Sequence, residues 1–119
     1  MSLLTNEIEP RTAPGTVEQA AAYLDAVVLA LSAAGIRTSS VEIDSRRPLT
    51  GRLVVTCAGH PETLVLDWRR DTGWWLARQS RVGVRPTGWR VLSGDPAAAP
   101  ADVAGQFEHD LRDIRPDRR

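Results

Sequence analysis

The sequence of this chain contains no lysine, one cysteine and only one residue each of methionine, tyrosine and phenylalanine. A single cysteine cannot form a disulfide within the chain, and it excludes the cysteine-rich zinc sites of many small domains. The most apolar stretch, residues 20–34, is interrupted by Tyr23, Asp25 and Ser32, so it is too short and too polar to span a bilayer. Residues 1–15 have no basic start followed by a long apolar run, so we predict no secretory signal and expect a cytoplasmic protein.

The missing lysine means that all 15 basic residues are arginine, and 15 acidic residues bring the net charge to zero. Two explanations stay open. A GC-rich genome favours arginine and alanine codons over lysine codons, and the alanine-, valine- and aspartate-rich composition agrees with this. Alternatively, arginine is selected because its guanidinium binds phosphate or carboxylate through two parallel hydrogen bonds, which lysine cannot do.

Length and patterning predict a single α+β domain over residues 16–115, with a flexible arm at residues 1–15 and a frayed tail at 116–119. The first helix is expected to begin at Thr16, with Gln19 three residues later as in a capping box, and to end at a left-handed Gly35. Apolar residues between them recur at spacings of three and four, as on one face of a helix: Val17, Ala20, Ala21, Leu24, Val27, Val28 and Leu31.

Alternating apolar and polar residues then predict an antiparallel β-meander of four to five strands. The predicted strands are residues 38–44, 52–58, 63–68 and 74–79, with residues 89–92 as a short edge strand. The tight hairpin marked by Asp71, Thr72 and Gly73 joins the third and fourth strands. A last helix is predicted from residue 100 or 101 to 113, with Val103, Phe107, Leu111 and Ile114 as its apolar stripe.

The most unusual segment is residues 68–90, which holds all four tryptophans of the chain and six arginines against one acidic residue, a local charge of +5. Side chains alternate between the two faces of a strand, so Trp68 and Trp74 are expected in the core and Trp75 on the opposite face. There Trp75 would join an apolar strip with Val54, Val65 and Ala77. We expect either the last helix or a partner chain to cover that strip.

Three interpretations of this segment stay open. In the first, Trp68 and Trp74 are core residues, and the arginines coat the outer sheet and pair with acidic residues of the helices. In the second, Trp75, Trp89 and neighbouring arginines form a protein–protein interface, a homodimer included, because tryptophan and arginine are enriched at the energetic centres of interfaces. In the third, arginines hold phosphates while tryptophans stack on the bases of a single-stranded nucleic acid. Zero net charge weakens the long-range attraction that the third requires.

Residues that could carry enzymatic chemistry have simpler interpretations. Cys57 and His60 are three apart, but Cys57 lies within a predicted strand, as a small buried apolar residue does, and His60 lies in a turn. His109 and Asp113 are one helical turn apart, which is too few ligands for a metal. No glycine-rich phosphate loop follows a strand. We therefore expect no enzyme, no cofactor and no metal.

The sequence thus favours a non-enzymatic protein-binding or regulatory module, without membrane association. Its candidate binding residues are Trp75, Trp89, Arg78, Arg85 and Arg90. Single-stranded nucleic acid through the same residues is the alternative, and a small enzyme or biosynthetic accessory protein is less favoured.

Three motifs resemble a family of small actinobacterial domains of unknown function over about residues 16–115. They are Ala34-Gly35-Ile36 after the first helix, the turn with Pro48, Leu49 and Gly51, and the hairpin with Asp67, Trp68, Thr72, Gly73 and Trp74. The resemblance implies a compact α+β domain from a GC-rich bacterium. It implies no catalytic residue, because none is assigned in that family.

Overall fold

The structure, a computed structural model, describes residues 12–59, 62–80 and 83–113. Its elements are α1 (Val17–Ala33), β1 (Ile36–Asp44), β2 (Thr50–Cys57), β3 (Thr63–Arg69), β4 (Gly73–Gln79), β5 (Thr87–Ser93) and α2 (Pro100–Asp113). The strands form one antiparallel sheet in the order β1-β2-β3-β4-β5, which confirms the predicted α+β meander between two helices. The predicted tail, most of the predicted arm, His60, Arg81 and Ile114 lie outside the described residues.

Local hydrogen bonds set the ends of α1 close to where the sequence predicts them. The Thr16 hydroxyl accepts a hydrogen bond from the Gln19 N–H at 3.1 Å, which satisfies one of the unpaired donors of the first turn. The Gln19 side chain accepts from the Gly15 N–H at 2.8 Å, one residue before the donor that a standard capping box uses. Gly35 has the predicted left-handed backbone, with φ of +83°.

Both helices pack on the same face of the sheet, which we call the helix face. One core joins the buried side of α1 and the buried residues of α2 to this face. Trp68 and Trp74 lie in it with no exposed surface, as predicted. The opposite face, which carries Arg52, Asp67, Trp75, Trp89 and Val91, is called the open face. Of the two covers expected for Trp75, the last helix or a partner chain, the last helix lies on the other side, because its buried apolar residues belong to the core.

A polar network fixes the connection between β5 and α2 to the core. The Tyr23 hydroxyl donates to the Ala98 carbonyl at 2.6 Å and accepts from the Trp74 indole N–H at 3.0 Å. The Trp68 indole N–H donates to the Pro96 carbonyl at 2.9 Å. Tyr23 also stacks at a tilt against both indoles, with ring centroids 5.9 and 6.1 Å apart. Two buried tryptophans thus have their polar atoms satisfied through one tyrosine and one loop.

The two edges of the sheet differ in regularity. β5 is longer than the predicted edge strand, and its pairing with β4 shifts register twice. β1 shifts register once, at Ser39, and then pairs regularly with β2 from Ser40 to Asp44. Among the described residues, neither helix is long and apolar enough to cross a membrane.

Candidate binding surface

The open face is organised around one row of side chains that crosses all five strands. Cross-strand pairing places Glu42 opposite Arg52, Arg52 opposite Asp67, Asp67 opposite Trp75, and Trp75 opposite Val91. Directly paired residues of antiparallel strands lie on the same face with their side chains in reach of one another. The row therefore runs from an acidic side chain on β1 to an exposed apolar one on β5.

The centre of the row is an ion pair between Arg52 and Asp67. Arg52 Nε donates to one carboxylate oxygen at 2.7 Å, and a terminal guanidinium nitrogen donates to the other at 3.0 Å. The Asp67 side chain is only 12% exposed, so its charge depends on this partner for solvation. Hydrogen bonding to Asp67 raises the pKa of Arg52, against the opposing effect of partial burial. The guanidinium is therefore held charged and is occupied by a carboxylate.

The Trp89 side chain covers the middle of the open face. The Arg52 guanidinium lies 5.8 Å from the centre of the Trp89 ring, a cation–π distance. β5 and β2 are three strand spacings of about 4.8 Å apart, so the two side chains reach toward each other above β3 and β4. This crossing explains why Val65 and Ala77, which are paired neighbours on this face, are 0% and 1% exposed.

The side chains of β5 on the open face are themselves partly exposed to solvent. Trp89 is 41% exposed and Val91, two residues further along the same strand, is 53% exposed. Trp75 is half-buried, and its indole N–H donates to the Thr72 hydroxyl at 3.2 Å. We call Trp75, Trp89 and Val91 the tryptophan strip.

A depression of about 550 Å³ lies beside the strip, over β1, β2 and β3. Four carboxylates and two guanidiniums line it: Glu42, Asp44, Asp67 and Asp71 with Arg52 and Arg69. Asp44 is paired with exposed Arg46 at 2.8 Å, which lowers the pKa of Asp44 through the side-chain hydrogen bond. Within the described residues, Glu42 and Asp71 form no ion pair, so carboxylate is in excess in this depression.

The structure brings together some of the sequence-predicted residues and separates others. Trp75 and Trp89 share the open face. Arg78 is paired in register with Leu64, and Arg90 with Leu76, both of which face the helices. Arg78 lies 3.4 Å from Glu62 on that side. Arg85 is exposed in the loop before β5. The three arginines predicted as binding residues therefore do not surround Trp75 and Trp89.

The first interpretation of the arginines is only partly correct. Trp68 and Trp74 are core residues, as it requires. The ion pairs of the described residues, however, lie within the sheet and its turns rather than between sheet and helices. Arg52 and Asp67 were missed as site residues, although each occupies an outward position next to an apolar inward residue. The alternation could have placed each of them on the outer face of its strand. The strand register that brings Arg52 opposite Asp67 cannot be derived from the sequence.

Of the candidate catalytic residues, Cys57 and His109 are described and His60 is not. Cys57 is half-buried at the end of β2, and burial raises the pKa of its thiol. Less thiolate at neutral pH makes it a poorer nucleophile. His109 is exposed on α2. No group of three or more metal-ligating side chains occurs in the described part of the chain.

The fold and this surface define a small α+β domain whose two described helices cover one side of an antiparallel sheet and leave the open face uncovered by described helices. Residues 23–109 match a family of unknown function (DUF6292), and the chain belongs to that family. The match begins at Tyr23, whose hydroxyl joins the buried Trp74 to Ala98 in the connection between β5 and α2. No curated protein and no solved structure gives a significant match.

Proposed function

We propose that the chain is a non-enzymatic protein-binding or regulatory module that acts through the open face of its sheet. The observation that carries this proposal is the exposure of Trp89 (41%) and Val91 (53%) on one face. Neither described helix packs there. Large aromatic side chains that are partly exposed beside polar groups are typical of the centres of protein interfaces. The lone cysteine, which can form no disulfide within the chain, favours the cytoplasm, and the arginine-only basic set favours a GC-rich source, in agreement with the resemblance to actinobacterial domains.

The chemistry of the surface supports, as partner, a protein segment with a basic side chain next to an apolar one. The apolar side chain covers the tryptophan strip and removes its exposed area from water, at about 25 cal/mol per Å². The basic side chain enters the adjacent depression, where Glu42 and Asp71 exceed the single remaining guanidinium of Arg69. Apolar contact supplies affinity, and charge orients the segment.

Single-stranded nucleic acid, the alternative from the sequence, is disfavoured by the same geometry. The Arg52 guanidinium is occupied by Asp67, and Arg78 and Arg90 are aligned with the helix face. A phosphate placed beside Trp75 or Trp89 would meet carboxylates in the neighbouring depression. Such repulsion opposes the phosphate contacts that dominate affinity for nucleic acids.

Selection of random peptides displayed on phage against the immobilised protein tests the proposal. We expect the enriched peptides to carry lysine or arginine next to an aliphatic or aromatic residue. Trp89→Ala should weaken their binding at least roughly tenfold, as truncation of an interface tryptophan does. Leu29→Ala is the matched control, because Leu29 is 71% exposed on α1, away from the sheet.

A second variant separates loss of binding from loss of folding. Val91→Ser removes the apolar branch of an exposed residue and should weaken the same peptides while circular dichroism stays unchanged. Peptides that bind both variants as tightly as the wild type would refute the open face as the binding surface. Retention of a single-stranded oligonucleotide at low salt, lost in Trp89→Ala, would instead support the nucleic-acid alternative.

A further inference from the structure

The outer edge of β1 is an unoccupied strand edge within the described residues. β1 has nine residues, contains no proline and ends the sheet, with β2 as its only strand neighbour. Its outward backbone N–H and C=O groups are therefore available to another strand. Strand edges of this length are usually shortened, bulged or covered.

The opposite edge is less suited to pairing. β5 contains two register shifts, and Gly88 within it has a positive φ of +72°. Each shift rotates the backbone groups that follow it and interrupts a ladder. β1 has a single shift at Ser39, followed by a regular run of residues 40–44. A partner strand therefore meets one irregularity on β1, at Ser39, and two on β5.

The charges along β1 determine which strand fits. Arg37 near its start and Glu42 near its end lie on the open face, because their partners on β2 are Thr56 and Arg52. When two copies pair antiparallel, the start of one strand meets the end of the other. Arg37 of each copy then lies opposite Glu42 of the other, which gives two cross-strand ion pairs by symmetry.

The apolar residues of the strand fit the same register. Ser39 is the extra residue at the register shift of β1, so it is left out when the pairs are counted. A two-fold axis at Ser40 then places Val41 of one copy opposite Thr38 of the other. Both lie on the helix face, where their partners are Leu53 and Val55. Val41 is 43% exposed, and the Thr38 hydroxyl is buried without a hydrogen-bond partner. Pairing would cover Val41 and bring backbone groups of the other copy near the Thr38 hydroxyl.

We infer that two copies of this chain pair antiparallel through β1, with Ser40 on the two-fold axis, and form one continuous ten-stranded sheet. The inference goes beyond the proposed function, because it uses the edge of the sheet: it engages Glu42 at the rim of each open face and leaves the tryptophan strip and Asp71 of each copy accessible. A peptide that binds a monomeric protein would therefore support the proposed function and contradict the dimer.

Sedimentation equilibrium of the full chain over a range of concentrations at low salt tests the pairing. We expect a dimer whose dissociation constant rises at least roughly tenfold in Arg37→Glu, because two attractions become two repulsions. The double variant Arg37→Glu with Glu42→Arg restores complementarity and should restore the dimer. Arg85→Glu, the same charge change beside the other edge, should leave dissociation unchanged.

Cysteine cross-linking tests the register in a Cys57→Ala background. Ser40→Cys places a thiol opposite itself at an antiparallel Cα separation of about 4.5–5.5 Å, within the range of a disulfide, so oxidation should give a covalent dimer. Val91→Cys on β5 should remain monomeric under the same conditions. A wild-type protein that is monomeric at every concentration, a dimer insensitive to Arg37→Glu, or failure of Ser40→Cys to cross-link would overturn the inference.

Discussion

Replacement of Tyr23 by phenylalanine removes one oxygen atom and leaves two polar groups without their partner. The Trp74 indole N–H loses its acceptor at 3.0 Å, and the Ala98 carbonyl loses its donor at 2.6 Å. Trp74 is fully buried and Ala98 is 7% exposed, so water cannot readily replace the hydroxyl. The aromatic ring itself keeps its place between the two indoles.

The expected cost follows from these two groups. A buried donor or acceptor left unpaired costs about 1–3 kcal/mol, so the loss of both partners in Tyr23→Phe should lower the free energy of unfolding by about 2–6 kcal/mol. For a urea dependence of about 2 kcal/mol per molar, the middle of the usual range, the unfolding midpoint falls by about 1–3 M. Unfolding should be followed by far-UV circular dichroism and not by tryptophan fluorescence, because the substitution itself changes the surroundings of Trp74 and therefore its fluorescence.

A second hydroxyl–indole hydrogen bond provides the control. The Trp75 indole N–H donates to the Thr72 hydroxyl at 3.2 Å, but this bond lies in solvent. Thr72→Val removes an acceptor of the same type at almost constant shape, and water can take its place. We expect its midpoint to move by a small fraction of the Tyr23→Phe shift. Equal shifts for the two variants would refute burial as the cause.

Two further predictions concern the ionisable groups. Arg52→Met should lower the free energy of unfolding by about 1–3 kcal/mol, since it leaves the nearly buried Asp67 carboxylate unpaired. Arg46→Met is the control: it breaks an ion pair of similar geometry in open solvent and should leave the urea midpoint unchanged. Comparable losses in the two variants would contradict this. Burial raises the pKa of Cys57 above its ordinary value of 9.0, so the protonated thiol stabilises the fold below pH 9. That contribution is lost as pH rises through the raised pKa, and wild type should lose stability relative to Cys57→Ala in alkaline urea titrations. Parallel curves for the two proteins would show that the thiol does not contribute.

The sequence predicts the elements of this fold because their signals are local. The apolar stripe of α1 and its capping residues lie within one segment, and the turn before Gly73 places Trp68 opposite Trp74. Gly73 has φ of +100°, and a side chain there would collide with the Ser93 carbonyl, so a glycine marks this hairpin for a definite steric reason. Period-two alternation then assigns both indoles to the core.

Alternation within strands assigns Trp75, Val65 and Ala77 to the open face, but the rest of its composition could not be predicted, because it depends on register between distant strands. A slip of one residue moves every side chain of a strand to the other face. The two register shifts in β5 decide that Trp89 joins the open face while Arg90 aligns with the helix face. The spacing between β2 and β3 likewise decides that Arg52 meets Asp67, although neither residue stands out within its own segment.

Together, the two proposals determine the spacing of binding surfaces in the assembly. Pairing through β1 joins the sheets at the acidic side of each open face and leaves the tryptophan strips at the two far ends. Nine strand spacings of about 4.8 Å separate β5 of one copy from β5 of the other, or roughly 40 Å before twist is considered. A short peptide cannot span that distance, so each copy would bind its own peptide independently. A partner that is itself dimeric, or that carries two motifs on a long linker, would gain affinity from the second contact.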